Sequence, residues 1–172
     1  MKKYVIALDQ GTTSSRAMLI DRGGRAVGSV QRPFPQLYPQ PGWVEHDPHD
    51  ILSSQLGALT ELLLTYSVDP ADIDSVGITN QRETTVVWDR ATGEPIANAI
   101  VWQCRRTAPM VEALTSDPAV AAEITARTGL VPDAYFSASK IAWILGEVPG
   151  ARARAEAGEL AFGTIDSWLI WK

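Results

Sequence analysis

The sequence contains one cysteine, two histidines and no long hydrophobic run. A single cysteine, Cys104, excludes an internal disulfide framework and fits a reducing compartment. We expect Cys104 to be a small buried hydrophobe and not a nucleophile, because no sequence pattern links it to either histidine. The N-terminal apolar stretch breaks at Asp9, which is too short for a signal-peptide core or a membrane span. We therefore expect a cytoplasmic protein with no membrane partner.

Concentrated positive charge is also missing. The net charge is −5, and no run of Lys or Arg argues for a nucleic-acid partner. Internal repeats and low-complexity tracts are not visible, which argues against a solenoid. A Walker-type Gly-Lys-Ser/Thr is absent from the sequence, which disfavours a P-loop nucleotide site. A chain of 172 residues, 45% of them hydrophobic, can bury one ordinary core, so we expect a single domain. Because positive charge is not concentrated, an enzyme that acts on a small molecule is the favoured class of function.

Two apolar runs near the N-terminus, YVIAL (4–8) and AMLI (17–20), flank a very polar connection. Each run has the length and composition of a buried strand, so the pair predicts a hairpin. Gly11 lets the backbone approach a ligand, and the next four residues add hydroxyl groups to the N–H groups of the loop. Such a surface suits phosphate oxygens.

The hydroxyl residues of this loop are Thr12, Thr13, Ser14 and Ser15. At the end of the first strand, Asp9 is a candidate to hold a hydrated Mg²⁺ against the phosphates, and Arg16 would add fixed positive charge. A loop that only turns the chain is an equally good interpretation of this stretch taken alone.

The remaining pattern predicts an α/β fold. Gly23 and Gly24 suit a tight turn before a third strand at 26–31, so the first three strands would form an antiparallel meander. Asp47 as N-cap and Pro48 at the first helical position begin a helix. Its large apolar residues recur at alternating spacings of four and three, which predicts one buried stripe, formed by Leu52, Leu56, Leu59, Leu63 and Tyr66.

More strands and helices follow this first helix. Strands are predicted at 73–79, 84–88, 99–102 and 160–163, and helices at 107–114, 118–128, 137–146, 151–157 and 164–172. The last helix carries Trp168, Leu169 and Trp171. If these side chains are exposed, the chain is part of something longer; the alternative is a short helix docked on the core of this domain.

A second polar cluster, TNQRETT (79–85), separates two apolar runs. Arg82 donates hydrogen bonds and Glu83 accepts them, so the pair can bind a hydroxyl-bearing substrate. A salt-bridged surface loop is the alternative. Trp102 could belong to the core or could wall a pocket for a polyol, and Tyr135 lies in a loop, where a phenol more often packs than binds.

Five segments in this order resemble the glycerol kinases of the carbohydrate-kinase family, within the actin-like ATPase superfamily. The segments are ALDQGTTSSR (7–16), PGWVEHDP (41–48), GITNQRETT (77–85), AIVWQCRRT (99–107) and FGTIDSWL (162–169). The resemblance implies an α/β fold of the ribonuclease-H-like, actin-like ATPase type. In that fold a mixed sheet begins with the antiparallel meander, and helices pack on the sheet.

The resemblance also implies site residues. Thr12, Thr13, Ser14 and Arg16 would bind ATP phosphates, with Asp9 near the Mg²⁺ through water. Arg82, Glu83, Trp102 and Tyr135 would form the glycerol site. The implied reaction is ATP-dependent phosphorylation of glycerol to sn-glycerol 3-phosphate, in a protein that is often a dimer or tetramer.

Members of this family are about three times as long. By that resemblance, residues 1–172 are the N-terminal part of the first actin-like domain, the second domain is absent, and the catalytic-base aspartate is expected beyond Lys172. The fragment would then be inactive alone, and neither Asp133 nor Asp166 should be assigned as the base. The alternatives are a kinase for another polyol or ketose and a non-catalytic module that binds a nucleotide.

Overall fold

The computed structural model describes residues 2–172, which form eight strands and six α-helices. The strands are β1 (Tyr4–Gln10), β2 (Ser14–Asp21), β3 (Ala26–Pro33), β4 (Glu45–His46), β5 (Ile73–Asn80), β6 (Thr85–Asp89), β7 (Ala99–Ile100) and β8 (Leu160–Thr164). The helices are α1 (Pro48–Thr65), α2 (Ala108–Thr115), α3 (Pro118–Thr128), α4 (Ser137–Glu147), α5 (Ala151–Glu156) and α6 (Ile165–Trp171). A short 3₁₀ turn, Pro70–Asp72, precedes β5.

The chain divides into two compact units. The first contains residues 2–36, 46–81 and 165–172, and the second contains residues 37–45 and 82–164. The sheet of the first unit has the strand order β3-β2-β1-β5. Its first three strands form the predicted antiparallel meander, and β5 lies parallel to β1, which makes the sheet mixed.

Helix α1 begins as predicted, because the Asp47 carboxylate accepts a hydrogen bond of 2.8 Å from the backbone N–H of His49. The predicted buried stripe, however, is only partly correct: Leu59 and Leu63 are half-buried and pack against the core, but Leu56 is 52% exposed and Tyr66 is 43% exposed. The buried face lies about one residue earlier, a rotation of about 100° around the helix. It consists of Ile51, Ser54, Gln55, Ala58 and Leu62.

Polar bonds explain this rotation. The Ser54 hydroxyl is 2.8 Å from the hydroxyl of Ser15, and the Gln55 amide donates to the carbonyl of Arg16 at 3.0 Å. Both contacts join α1 to β2, and burial of a polar side chain is tolerated when it finds such a partner. Around them, the core of the first unit is formed by Ile6, Leu8, Ala17, Leu19, Ala58 and Leu62.

Helix α6 is docked on the first unit through Trp168. This side chain is fully buried, and its ring lies 6.0 Å from the ring of His49 in an edge-to-face arrangement. The expectation of an exposed Trp168 is therefore wrong, and for this residue the docked-helix alternative is correct. Trp171 remains 48% exposed.

A second sheet has the strand order β4-β7-β6-β8. Its strands belong to the second unit, which includes Glu45 of β4. Strands β6, β7 and β8 were predicted from the sequence, but their assembly into a separate sheet was not. Cys104 is buried in the core of this unit, as predicted, together with Val87, Ile100 and Ile144. None of the helices described within residues 2–172 is long and apolar enough to cross a membrane.

Arg106 stacks against two tryptophan rings that belong to that core. The guanidinium carbon of Arg106 lies 3.8 Å from the ring centroid of Trp43 and 4.7 Å from that of Trp143. The same guanidinium donates to Glu45 at 2.6 Å. Because the Arg106 side chain is almost completely buried, the ion pair and the two aromatic faces together replace its lost hydration.

Candidate functional site

The polar hairpin of the first unit is a tight turn between β1 and β2. The Gly11 N–H donates to the carbonyl of Ser14 at 2.9 Å, which closes the turn. A Cβ atom at position 11 would lie 3.1 Å from that same carbonyl oxygen, so a side chain fits poorly there. Thr12 and Ser14 are half-buried and Thr13 is exposed. The hairpin therefore carries a short row of hydroxyl groups at its tip.

Asp9 and Arg16 are opposite each other in the β1–β2 register. Directly opposed residues share a face of an antiparallel pair, and here it is the face away from α1, because the intervening alternate positions are buried. The Arg16 guanidinium donates to the Gln31 side chain at 2.9 Å, and the Gln31 amide donates to the Ser14 hydroxyl at 2.7 Å. Gln31 thus connects two of the four predicted phosphate ligands, Ser14 and Arg16.

The residues of the hairpin fit phosphate and a hydrated Mg²⁺ by their chemistry. The loop offers hydroxyl groups and one arginine for anions, and Asp9 offers one carboxylate. Mg²⁺ usually keeps several waters and needs only one or two carboxylates when phosphates supply the other ligands. Within residues 2–172, no cluster of three or more His, Cys, Asp or Glu side chains could hold a metal ion without such help.

A buried polar network lies behind the hairpin, and sequence reasoning missed it. The Gln81 amide nitrogen lies 3.0 Å from Gln10 Oε1, 3.2 Å from the Gly11 carbonyl and 3.2 Å from His46 Nδ1. His46 Nε2 lies 2.7 Å from Gln36 Oε1. Burial lowers the pKa of the His46 imidazole to about 4, so the ring is neutral. Gln10 could have been found, since it follows Ile6 and Leu8 on the buried face of β1.

Glu83 is the most unusual residue of the second unit. Its backbone φ is 62°, a left-handed conformation that few residues other than glycine adopt. Two hydroxyl groups, of Thr85 and Ser137, donate to its carbonyl oxygen at 3.1 Å each. The side-chain atom Oε2 is buried with no hydrogen-bond partner. A carboxylate oxygen in this state lacks a donor that a ligand can supply.

Tyr135 lies beside this carboxylate, and Trp102 packs against Tyr135. The rings of Trp102 and Tyr135 pack edge to face with centroids 5.7 Å apart. The Trp102 N–H of the backbone donates to the Thr84 hydroxyl at 3.2 Å, which ties it to the residue after Glu83. The pKa of the Tyr135 phenol is raised by burial first and then by hydrogen bonding to the Glu83 carboxylate and by its charge, whereas the Arg82 cation acts in the opposite direction. Arg82 itself is exposed.

The structure therefore brings together Arg82, Glu83, Trp102 and Tyr135 in the second unit. It places Asp9, Thr12, Thr13, Ser14 and Arg16 on one hairpin in the first unit. Their roles as ligands stay predictions. Asp133 does what was expected of a loop residue, because it accepts hydrogen bonds from the Tyr135 backbone N–H at 2.7 Å and from Arg105 at 2.8 Å.

A buried lysine supports the Tyr135 loop, and the sequence did not reveal it. The Lys140 ammonium group donates to the carbonyls of Ala134, Tyr135 and Phe136, at 2.8 Å and 3.2 Å for the first and last. Its side chain is fully buried, and this loss of hydration lowers its pKa from 10.5 to about 8. Helix α4 thus holds the backbone of the segment that carries Tyr135.

Comparison with known proteins gives consistent relatives. A glycerol kinase of Stenotrophomonas maltophilia is 63% identical over 169 residues, and one of Carboxydothermus hydrogenoformans is 60% identical over 171 residues. These alignments cover 98% and 99% of this chain and 34% of each relative, so the chain spans about a third of their length.

Solved structures agree with the sequence relatives. The crystal structure of Plasmodium falciparum glycerol kinase with ADP matches with a TM-score of 0.89 at 33% identity, over 98% of this chain and 33% of that one. The predicted α/β fold of the actin-like ATPase type is thereby confirmed. The family model described as "FGGY family of carbohydrate kinases, N-terminal domain" matches residues 4–172. Since that match includes nearly every residue, this chain belongs to the FGGY family of carbohydrate kinases.

Proposed function

We propose that this chain is the N-terminal part of the first actin-like domain of a glycerol kinase, which transfers a phosphoryl group from ATP to glycerol and forms sn-glycerol 3-phosphate. The single observation that carries the proposal is the buried, unpartnered Oε2 of Glu83. A polyol hydroxyl is a donor of the right kind for this oxygen, and it can in turn accept from a cation such as Arg82.

The two aromatic residues suit a small polyol. Trp102 packs edge to face on Tyr135, which lies next to the Glu83 carboxylate, and such rings can pack against the carbon–hydrogen groups of glycerol. The strained backbone of Glu83 fits a binding role too, because a left-handed residue that is not glycine costs free energy and persists where the surroundings fix it. Here the hydroxyl groups of Thr85 and Ser137 fix it.

On the nucleotide side, Thr12, Thr13, Ser14 and Arg16 would bind the phosphates, and Asp9 would hold the hydrated Mg²⁺. Phosphoryl transfer requires mainly positioning and charge stabilisation from the protein. Bound Mg²⁺ would supply neutralisation of the charge on the transferred group. We assign no residue of this chain as the catalytic base. The lone buried cysteine remains our reason to propose a cytoplasmic protein.

The test is a substitution of Glu83, whose Oε2 has no partner, in the complete polypeptide that contains residues 1–172. Glu83→Gln keeps the shape of the side chain and removes the charge. A hydrogen bond to a charged group is worth about 1.5–3 kcal/mol, so kcat/KM for glycerol should fall about 10-fold to 150-fold. Glu147→Gln, at an exposed carboxylate of α4, is the matched control and should change kcat/KM less than about twofold.

ADP release with glycerol, a ketose and a sugar acid as acceptors measures the outcome. Glycerol-dependent ADP release that Glu83→Gln abolishes or strongly reduces supports the proposal. If the unsubstituted protein releases ADP faster with the ketose or the sugar acid, the acceptor is wrong. If none of the three promotes release, the kinase assignment is wrong, and the non-catalytic nucleotide-binding alternative gains weight.

A further inference from the structure

The buried network of the first unit has a definite donor and acceptor order. Gln36 Oε1 can only accept, so its contact with His46 requires the imidazole Nε2 to carry the proton. His46 Nδ1 then accepts one N–H of the Gln81 amide, and Gln10 Oε1 and the Gly11 carbonyl share its other N–H. The neutral state of the His46 ring is the one that this order needs, and burial favours that state.

The network ends on the backbone of the hairpin. The Gly11 carbonyl oxygen accepts from the Gln10 amide at 2.7 Å and from the Gln81 amide at 3.2 Å. Gln10 and His46 are fully buried and Gln81 nearly so, which means that water competes little for these bonds. Two amides, one at the end of β1 and one directly after β5, therefore fix the direction of one carbonyl.

The direction of this carbonyl determines the direction of an N–H group. The Gly11–Thr12 peptide bond is trans and planar, so the Thr12 N–H points opposite to the Gly11 carbonyl. With the carbonyl held toward the buried amides, the N–H is aimed away from them. Gly11 is the position where the chain is least restrained by its own side chain, so without the network several orientations of this peptide compete.

We propose that His46 and Gln81 are positioning residues for nucleotide binding, which orient the Gly11–Thr12 peptide so that the hairpin presents its donors to phosphate. The proposal rests on the proposed function only in assigning the hairpin to ATP phosphates. His46 acts through Gln81, and neither residue is proposed to touch the nucleotide.

The test uses four variants of the complete polypeptide that contains residues 1–172. Gln81→Leu and His46→Leu break the network with little change of volume. His46→Gln is the conservative variant, because an amide can also donate to Gln36 and accept from Gln81. Gln40→Leu removes an exposed amide outside the network and serves as the matched control.

We expect both leucine variants to raise KM for Mg·ATP at least tenfold while KM for glycerol changes less than twofold. His46→Gln should stay within threefold of the unsubstituted protein, and Gln40→Leu should not differ from it. A general loss of structure would raise both KM values or lower kcat alone. The proposal is overturned if the leucine variants leave KM for Mg·ATP within twofold, or if His46→Gln is as impaired as His46→Leu.

A ligand-free measurement separates this proposal from the proposed function. The order parameter of the Thr12 N–H, measured by NMR relaxation, should be clearly lower in His46→Leu than in His46→Gln, with unchanged values in the core strand β2. Calorimetric binding of Mg·ADP supplies the affinity without any turnover. If glycerol is not phosphorylated but these two readouts change as expected, only the proposed function fails. If the order parameter of the Thr12 N–H is unchanged, the positioning role fails, whatever the activity. Should Gln81→Leu not fold, the His46 pair decides alone.

Discussion

The charge of Lys140 should make the stability of the second unit depend on pH in a specific way. The lysine pKa is 10.5 in an unfolded chain and about 8 in the folded protein, because the ammonium group is fully buried. Between these two values the unfolded chain binds more protons, so stability rises with pH. One pKa unit corresponds to about 1.4 kcal/mol, and the charged form therefore costs the folded protein about 3 kcal/mol near neutral pH.

Lys140→Met removes this titration. Between pH values of about 7 and 9.5, the cost of the charged lysine in the unsubstituted protein should fall by about 2 kcal/mol, and the variant should show no such gain. The variant also loses the donor for the carbonyls of Ala134, Tyr135 and Phe136, each worth about 1 kcal/mol. Near neutral pH the lost bonds and the relieved charge nearly cancel, whereas at high pH the variant should be clearly less stable.

Urea denaturation followed by tryptophan fluorescence at the two pH values measures the difference between the proteins. Lys2→Met is the control, because Lys2 is an exposed lysine that donates to the Ile73 carbonyl. The Tyr135 phenol does not interfere, since its pKa is raised above 10.0. A difference between the unsubstituted protein and Lys140→Met that is the same at both pH values would refute the reasoning, because Lys140 would then not be a buried cation.

Three further predictions concern single contacts. Asp47→Ala should lower the free energy of unfolding by about 1 kcal/mol and Asp47→Ser should restore most of it, as measured by urea denaturation, since serine can also accept from the N-terminal N–H groups of α1. Gly28→Ala should cost about 1–3 kcal/mol, because the new Cβ would lie 2.5 Å from the Tyr66 ring. Additivity with Tyr66→Ala in a double-mutant cycle would contradict that cause. Arg106→Met should cost about 3–5 kcal/mol by leaving Glu45 without its cation, and a loss below about 1 kcal/mol would show that the ion pair contributes little.

Local signals predicted the elements whose cause is local. Asp47 and Pro48 fixed the start of α1, and Gly129, in the left-handed conformation with φ of 72°, ends α3 where its position predicted. The meander followed from short apolar runs joined by tight turns. The buried face of α1 was missed because Ser54 and Gln55 are buried by bonds to β2, and apolar periodicity does not register polar partners.

The sequence singled out the candidate site residues, but it did not reveal the residues that support them. Arg82 and Glu83 could be singled out because charges are unusual between two apolar runs. The partners of His46 and Lys140 could not: His46 and Gln81 are 35 residues apart, and Lys140 binds backbone carbonyls, which every sequence contains. The left-handed backbone of Glu83 was also invisible, since glutamate has no preference for that conformation.

Strand β5 has a consequence for handling the chain as a reagent. Within residues 2–172 it pairs with β1 on one side only and forms an outer edge of its sheet, and its Val76 is 54% exposed. An open strand edge presents a row of backbone donors and acceptors to any other chain in solution. Preparations of residues 1–172 should therefore associate increasingly with concentration, and lysine or proline placed on the outer side of β5 is the natural way to keep them dispersed for spectroscopy.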